Sequence, residues 1–187
     1  MINALWYLGR GTGVVALVVF TVTLVLGITT RSGRAALGMG RFGVAELHRT
    51  ASLVGVGLIA VHVGTLLFDP WAQLKLIDTV LPFMAGFRPL WQGLGTLAVD
   101  LLALITVSGL LRHRIGPRVF HALHWTAYAL WPLAMLHALG TGTDAASSWF
   151  RALAAVCGGA VVVALGWRTS AGFGERGMVR RSRVVAR

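Results

Sequence analysis

Five stretches of mostly apolar residues, at roughly 12–30, 47–68, 91–111, 119–139 and 148–167, constrain this chain more than any other feature. A bilayer core about 30 Å thick is crossed by about 20 residues of helix. In hydrocarbon the backbone must satisfy its own polar groups, so each stretch is predicted to be helical. The expected fold is all-α: one integral membrane bundle of about five transmembrane helices in a single domain, 1–187, ending in a basic tail, 168–187. The run from Gly13 to Ile28 is followed by Thr29, Thr30 and Arg31 with no small-x-small cleavage site, so it reads as a retained span rather than a signal peptide. No repeat, low-complexity segment or long linker divides the chain. The composition agrees: 56% of residues are hydrophobic, 12% are charged, and the mean hydropathy is +0.75.

Against six acids stand 17 bases, 16 of them Arg, for a net charge of +11. Such an excess can mark nucleic-acid binding, but here the bases lie between spans and at the C-terminus, where anionic lipid is the natural partner. Arg31, Arg34, Arg41, Arg49, Arg112, Arg114, Arg118 and the six Arg from 168 to 187 fall on one side; Arg10, Lys75, Arg88 and Arg151 fall on the other. The positive-inside bias therefore predicts an outside N-terminus and a cytoplasmic C-terminus. Trp6, Trp71, Trp91 and Trp149 fall at predicted outer boundaries and Trp167 at an inner one, as interfacial anchors do. Between Asp69 and Leu90, Trp71, Leu74, Ile77, Leu81 and Met84 recur at roughly helical spacing, as expected either for a short helix lying on or dipping into the outer interface, where it could cap a site, or for a simple interfacial connector. A single cysteine, Cys157, excludes an intrachain disulfide and a multi-cysteine metal site.

An ionisable side chain inside a span is costly and points to function. His48 and His62 lie 14 residues apart on the second span; His124 and His137 lie 13 apart on the fourth. These two spans run in the same direction, so His48 is level with His124 near the cytoplasm and His62 with His137 near the outside. The two levels are separated by about 20 Å of helix rise. That is the geometry for two haems stacked across a membrane, each iron held by two imidazoles, which suits electron transfer. Imidazole also serves zinc and copper, but two histidines without a cysteine or carboxylate make a poor zinc site. On an ideal helix 14 residues return to within about 40° of the starting face, whereas 13 leave the rings about 140° apart. Pro132, between His124 and His137, is where a distortion is expected. Around the second-span ligand face lie Ala51, Ser52, Gly55 and Gly64, small enough for close approach of a flat group or of another helix.

The histidine steps, together with Leu8–Gly9–Arg10, Leu47–His48–Arg49, Arg88–Pro89–Leu90 and Leu123–His124–Trp125, resemble the ferric reductase-like transmembrane family over roughly Leu8 to Trp167. That family includes ferric-chelate reductases, NADPH oxidases and the haem membrane subunit of bacterial methionine sulfoxide reductase systems. The resemblance implies two b-type haems, on His48/His124 and His62/His137. They would carry electrons from a cytoplasmic flavoprotein or quinol to an outside acceptor, a ferric chelate or a periplasmic oxidoreductase. It further implies a multi-pass protein of a bacterial plasma membrane, and an aromatic residue between the haems, for which Trp131, seven residues after His124, is the candidate. Compared with the larger relatives, one N-terminal span is missing and no flavin or nicotinamide domain follows the last span. The chain then reads as a haem-bearing subunit of an oxidoreductase, fed by another chain or by quinol.

Arg49 and Arg118, with Arg112 and Arg114, sit near the inner level, where they could clamp propionates or simply mark the cytoplasmic side; Arg88 could serve outside. His121 competes with His124 as a ligand, and His113 falls in a loop. Asp100 falls near the midplane and needs a partner, with Thr96 and Ser108 as candidates. Gly9-x-Gly11-x-Gly13 lacks the preceding strand and spacing of a dinucleotide site, and no nucleophile or paired-carboxylate constellation supports a hydrolase. The alternative class is a small non-redox transporter or assembly factor whose histidines and Asp100 line a proton or metal path.

Overall fold

The computed structural model describes residues 4–173, so most of the predicted basic tail lies outside the described residues. Six α-helices follow in order: α1 (Ala4–Ser32), α2 (Arg41–Leu67), α3 (Pro89–Leu110), α4 (Arg112–His124), α5 (Ala127–Thr141) and α6 (Ser148–Thr169), with a 3-10 turn at Leu76–Thr79. Among the described residues there is no strand; an isolated bridge between Ala36 and Met39 closes the α1–α2 loop. Four helices, α1, α2, α3 and α6, are long and apolar enough to cross a membrane.

The expected span at 119–139 is not one helix but is divided between α4 and α5. Trp125 and Thr126 wind tightly: the N–H of Thr126 donates to Leu123 (3.1 Å), that of Tyr128 to Trp125 (3.1 Å) and that of Ala129 to Thr126 (2.9 Å), all three-residue steps. The distortion expected at Pro132 therefore begins earlier. Pro132 has no N–H for the Tyr128 carbonyl, and the tightened winding lies immediately before the turn so weakened. Because α4 and α5 are separate rods, the ideal-helix angle between His124 and His137 does not apply. A second interruption, Gly116 at φ 77° and ψ 163°, takes a backbone conformation that a side chain opposes, and Pro117 restarts the helix behind it.

The short helix predicted between Asp69 and Leu90 is reduced to the single turn at Leu76–Thr79. Pro82 cannot supply a helical N–H, and polar contacts pin the loop instead. The Asp78 carboxylate accepts the Lys75 N–H at 3.0 Å, and Thr96 of α3 donates its hydroxyl to the Asp78 carbonyl at 2.6 Å. The Phe83 ring fills the place of a side chain at Gly93.

Two antiparallel pairs make the bundle. Gly9 of α1 meets Leu66 of α2 and Phe20 meets Gly55, while Trp91 of α3 covers Gly140 of α5. The first helix also packs on α5 and α6 and so holds the centre. Its Ala16, Leu17 and Phe20 join Leu130, Trp131, Met135, Phe150, Cys157 and Val161 in the main core. Within it the Trp131 indole N–H donates to the Thr21 hydroxyl at 2.8 Å. At one end an Arg10–Asp144 ion pair ties α1 to the α5–α6 connection. At the other, the Arg168 guanidinium lies over Trp125, Tyr128 and Phe173.

Candidate functional site

Only Val44, Gly55 and Thr65 of α2 are buried, although the helix is 27 residues long. It leans on α1, with the His48 and His62 rings at that seam, and His62 also lines a cleft shared with His137 of α5. The cleft, with an empty volume of about 620 Å³ including its open mouth, is walled by Phe20, Ile59, His62, Leu102, Leu130 and His137.

The structure brings the four histidines together in the pairs expected from their depth. His48 and His124 stand with ring centroids 6.3 Å apart and planes at 80°. His62 and His137 line the cleft at the other level. Three of the four rings are oriented by a carbonyl of a neighbouring helix. His48 Nδ1 lies 2.9 Å from the Thr23 oxygen, His62 Nδ1 2.7 Å from that of Gly9, and His137 Nδ1 2.9 Å from that of Trp91. A carbonyl only accepts, so each Nδ1 carries the proton, and in the neutral ring Nε2 presents the lone pair. The fourth is different: His124 Nδ1 is buried and has no hydrogen-bond partner among the described residues.

The other predicted residues are placed less centrally. Arg49 is exposed, 3.6 Å from Glu46 on its own helix, and Arg118 is exposed on α4. Arg88 donates to the Gly140 carbonyl. His121 is turned from the site, its Nδ1–H donating to Pro117 of its own helix, and His113 accepts from Arg112 on the surface. Trp131 points toward Thr21 and Gly158, away from the cleft. Asp100 is half-buried without a hydrogen-bond or ion-pair partner among the described residues; Thr96 donates to Asp78 and Gln92, and Ser108 to Ile105. Of the small residues on α2, Ser52 donates to the His48 carbonyl, Gly64 faces open space and Gly55 receives Phe20.

Phe20 is the wall residue that sequence reasoning missed. It stands seven residues from Gly13 and from Gly27 on α1, against Gly55, itself seven residues from both His48 and His62. The ring therefore sits midway in depth between the two histidine levels. That equal spacing is visible in the sequence once α1 and α2 are known to pair. Among the described residues no three His, Cys, Asp or Glu side chains converge on one point. No protein-family model, curated protein or solved structure matches this chain.

Proposed function

We propose that this chain is a transmembrane electron conduit of the ferric reductase-like type, holding one b-type haem between His48 and His124 and a second between His62 and His137. The observation that carries the proposal is the 6.3 Å separation of the His48 and His124 ring centroids, together with a second histidine pair that lines a cleft at another depth. Ring centres about 6 Å apart would let both imidazoles reach one metal ion between them at about 2.0–2.1 Å per bond. Proton placement on Nδ1 leaves Nε2 of His48, His62 and His137 as the ligating atom, the usual arrangement for a metal-bound histidine. Two ligands per site, with no third His, Cys or carboxylate among the described residues, suit a metal whose other positions are filled by a macrocycle.

Haem iron supplies a one-electron carrier at each level. The chain would supply the ligands, a mostly apolar wall around the His62/His137 level, and Phe20 between the levels. Arg118, which has no partner among the described residues, and Arg49 are the cations available to propionates at the His48/His124 level. The clustering of Arg31, Arg34, Arg41, Arg112 and Arg114 at that level supports a cytoplasmic placement for it. Electrons would then enter there from a flavoprotein or quinol and leave at the His62/His137 level to a ferric chelate or periplasmic oxidoreductase, in a bacterial plasma membrane.

Purified protein tests this directly. Reduced-minus-oxidised spectra are expected to show b-type bands and two haems per chain, with His48→Ala and His62→Ala each removing one. A preparation reconstituted with haem that shows no such bands overturns the proposal. It would favour the transporter or assembly-factor alternative, to which Asp100, without a partner among the described residues, would then belong.

A further inference from the structure

The three carbonyls that orient histidines share a neighbour. Gly9 is followed four residues later by Gly13, Thr23 by Gly27 and Trp91 by Gly95. Each of those glycines faces the same ring that its carbonyl binds. A Cβ at Gly13 would lie 2.8 Å from His62 Cε1, one at Gly27 3.1 Å from His48 Cε1, and one at Gly95 2.5 Å from His137 Nδ1. The ring edge carrying Nδ1 and Cε1 is thus laid against the glycine in all three cases.

Helix geometry explains the interval of four. The carbonyl of residue i bonds the N–H of residue i+4, and every Cα–Cβ bond tilts toward the N-terminus, so the side chain of residue i+4 overhangs that carbonyl. Removing the side chain uncovers the second lone pair of the oxygen to a group arriving from the side. A glycine four residues after the acceptor is therefore what lets an imidazole from another helix lie flat against the backbone and donate to it.

We infer that Gly13, Gly27 and Gly95 are positioning residues, each forming with the carbonyl four residues earlier a seat that fixes the tautomer and the plane of His62, His48 and His137. The inference deepens the haem proposal and rests on it for the identity of the bound group. His124 supplies the internal contrast. On α3, 14 residues beyond Gly95, the carbonyl of Ile105, four residues before Gly109, accepts the Ser108 hydroxyl at 2.8 Å, and among the described residues Gly109 faces nothing within 4 Å and His124 Nδ1 has no partner. The His62/His137 site accordingly has two seated ligands and the His48/His124 site one.

Glycine-to-alanine variants read out the seats, with Gly57→Ala and Gly109→Ala as controls because a Cβ there meets nothing within 4 Å. In the haem-loaded protein, Gly13→Ala and Gly95→Ala are expected to shift or abolish the low-spin electron paramagnetic resonance signal of one haem, with haem per chain falling from two toward one. Gly27→Ala should alter only the other signal, and the controls neither. The retained signal in each variant reports that the bundle is folded. In haem-free protein, nitrogen-15 NMR of the imidazoles should show Nδ1-protonated, hydrogen-bonded rings for His48, His62 and His137, with one lost in each variant. Unchanged signals in all three variants, equal effects in the controls, or loss of both signals in all three overturn the inference, the last by making the glycines general packing residues. Wild-type protein that binds no haem yet shows the three NMR signatures defeats the haem proposal and leaves the seats standing.

Discussion

Phe20 fills the space that a side chain on Gly55 would need: a Cβ there would lie 2.7 Å from Phe20 Cε1. The aromatic ring is held midway between two histidine levels that are about 20 Å apart along the helix. If the chain holds the two proposed haems, Phe20→Leu is expected to slow electron equilibration between them several-fold, measured by flash photoreduction, with both retained. Trp131→Leu should leave that rate nearer to wild type, because its indole points away from the cleft toward Thr21 and Gly158. The reverse order of effects would return the bridging role to Trp131.

The bond between Trp131 and Thr21 makes a separate prediction about stability. Both residues are buried, at 9% and 5% exposure, so Thr21→Val leaves an indole N–H without an acceptor inside the core. A buried donor deprived of its partner costs about 1–3 kcal/mol. Thermal unfolding should show that loss for Thr21→Val, while Trp131→Phe in the same background should add less than it does alone. Strict additivity of the two changes would mean that the bond contributes nothing.

At the other end of the cleft, Arg10 and Asp144 join α1 to the α5–α6 connection, with side chains 32% and 23% exposed. Partial exposure limits what the pair contributes, and a coupling of about 1 kcal/mol or less is the expectation for such geometry. A double-mutant cycle of Arg10→Ala and Asp144→Ala, read by thermal unfolding, measures it. Salt should weaken the coupling, since water reaches both groups. A coupling that is large and insensitive to salt would contradict the exposure seen here.

The histidine pairs were legible in the sequence because depth along a helix is simple counting: a step of 14 on one span and 13 on another puts four rings at two levels whatever the packing. Phase was not legible in the same way. The 13-residue step fails on one ideal rod and succeeds on two, and the tight winding at Trp125–Thr126 leaves no composition signal beyond a proline several residues away. Glycine was ambiguous for a different reason. Gly64 faces open space, Gly55 accepts a phenyl ring and Gly13 accepts an imidazole, and only the register between helices tells them apart. Hydrophobic spacing misled at Trp71, Leu74, Ile77 and Leu81, where Pro82 and the Asp78–Thr96 bond hold an irregular loop against α3.

Arg168 connects the end of α6 to the kink that separates His124 from His137. Its guanidinium carbon lies 4.9 Å from the Trp125 ring centre, 5.2 Å from that of Tyr128 and 6.0 Å from that of Phe173. Each such contact at a partly exposed site is worth about 0.5–1 kcal/mol, and two of the three fall on the winding between Trp125 and Tyr128. Arg168→Ala should therefore speed hydrogen–deuterium exchange of the amides from Trp125 to Tyr128 several-fold and leave those in the middle of α1 unchanged. Because His124 ends the helix that enters this winding and its Nδ1 has no hydrogen-bond partner among the described residues, the same variant should broaden the resonance signal of the haem proposed at His48/His124 but not that of the other proposed haem. Arg168→Lys keeps the charge but loses the flat stacking surface, so it should fall between the two. Exchange at Trp125–Tyr128 no faster than in wild type would show that the kink is held by the backbone of α4 and α5 alone.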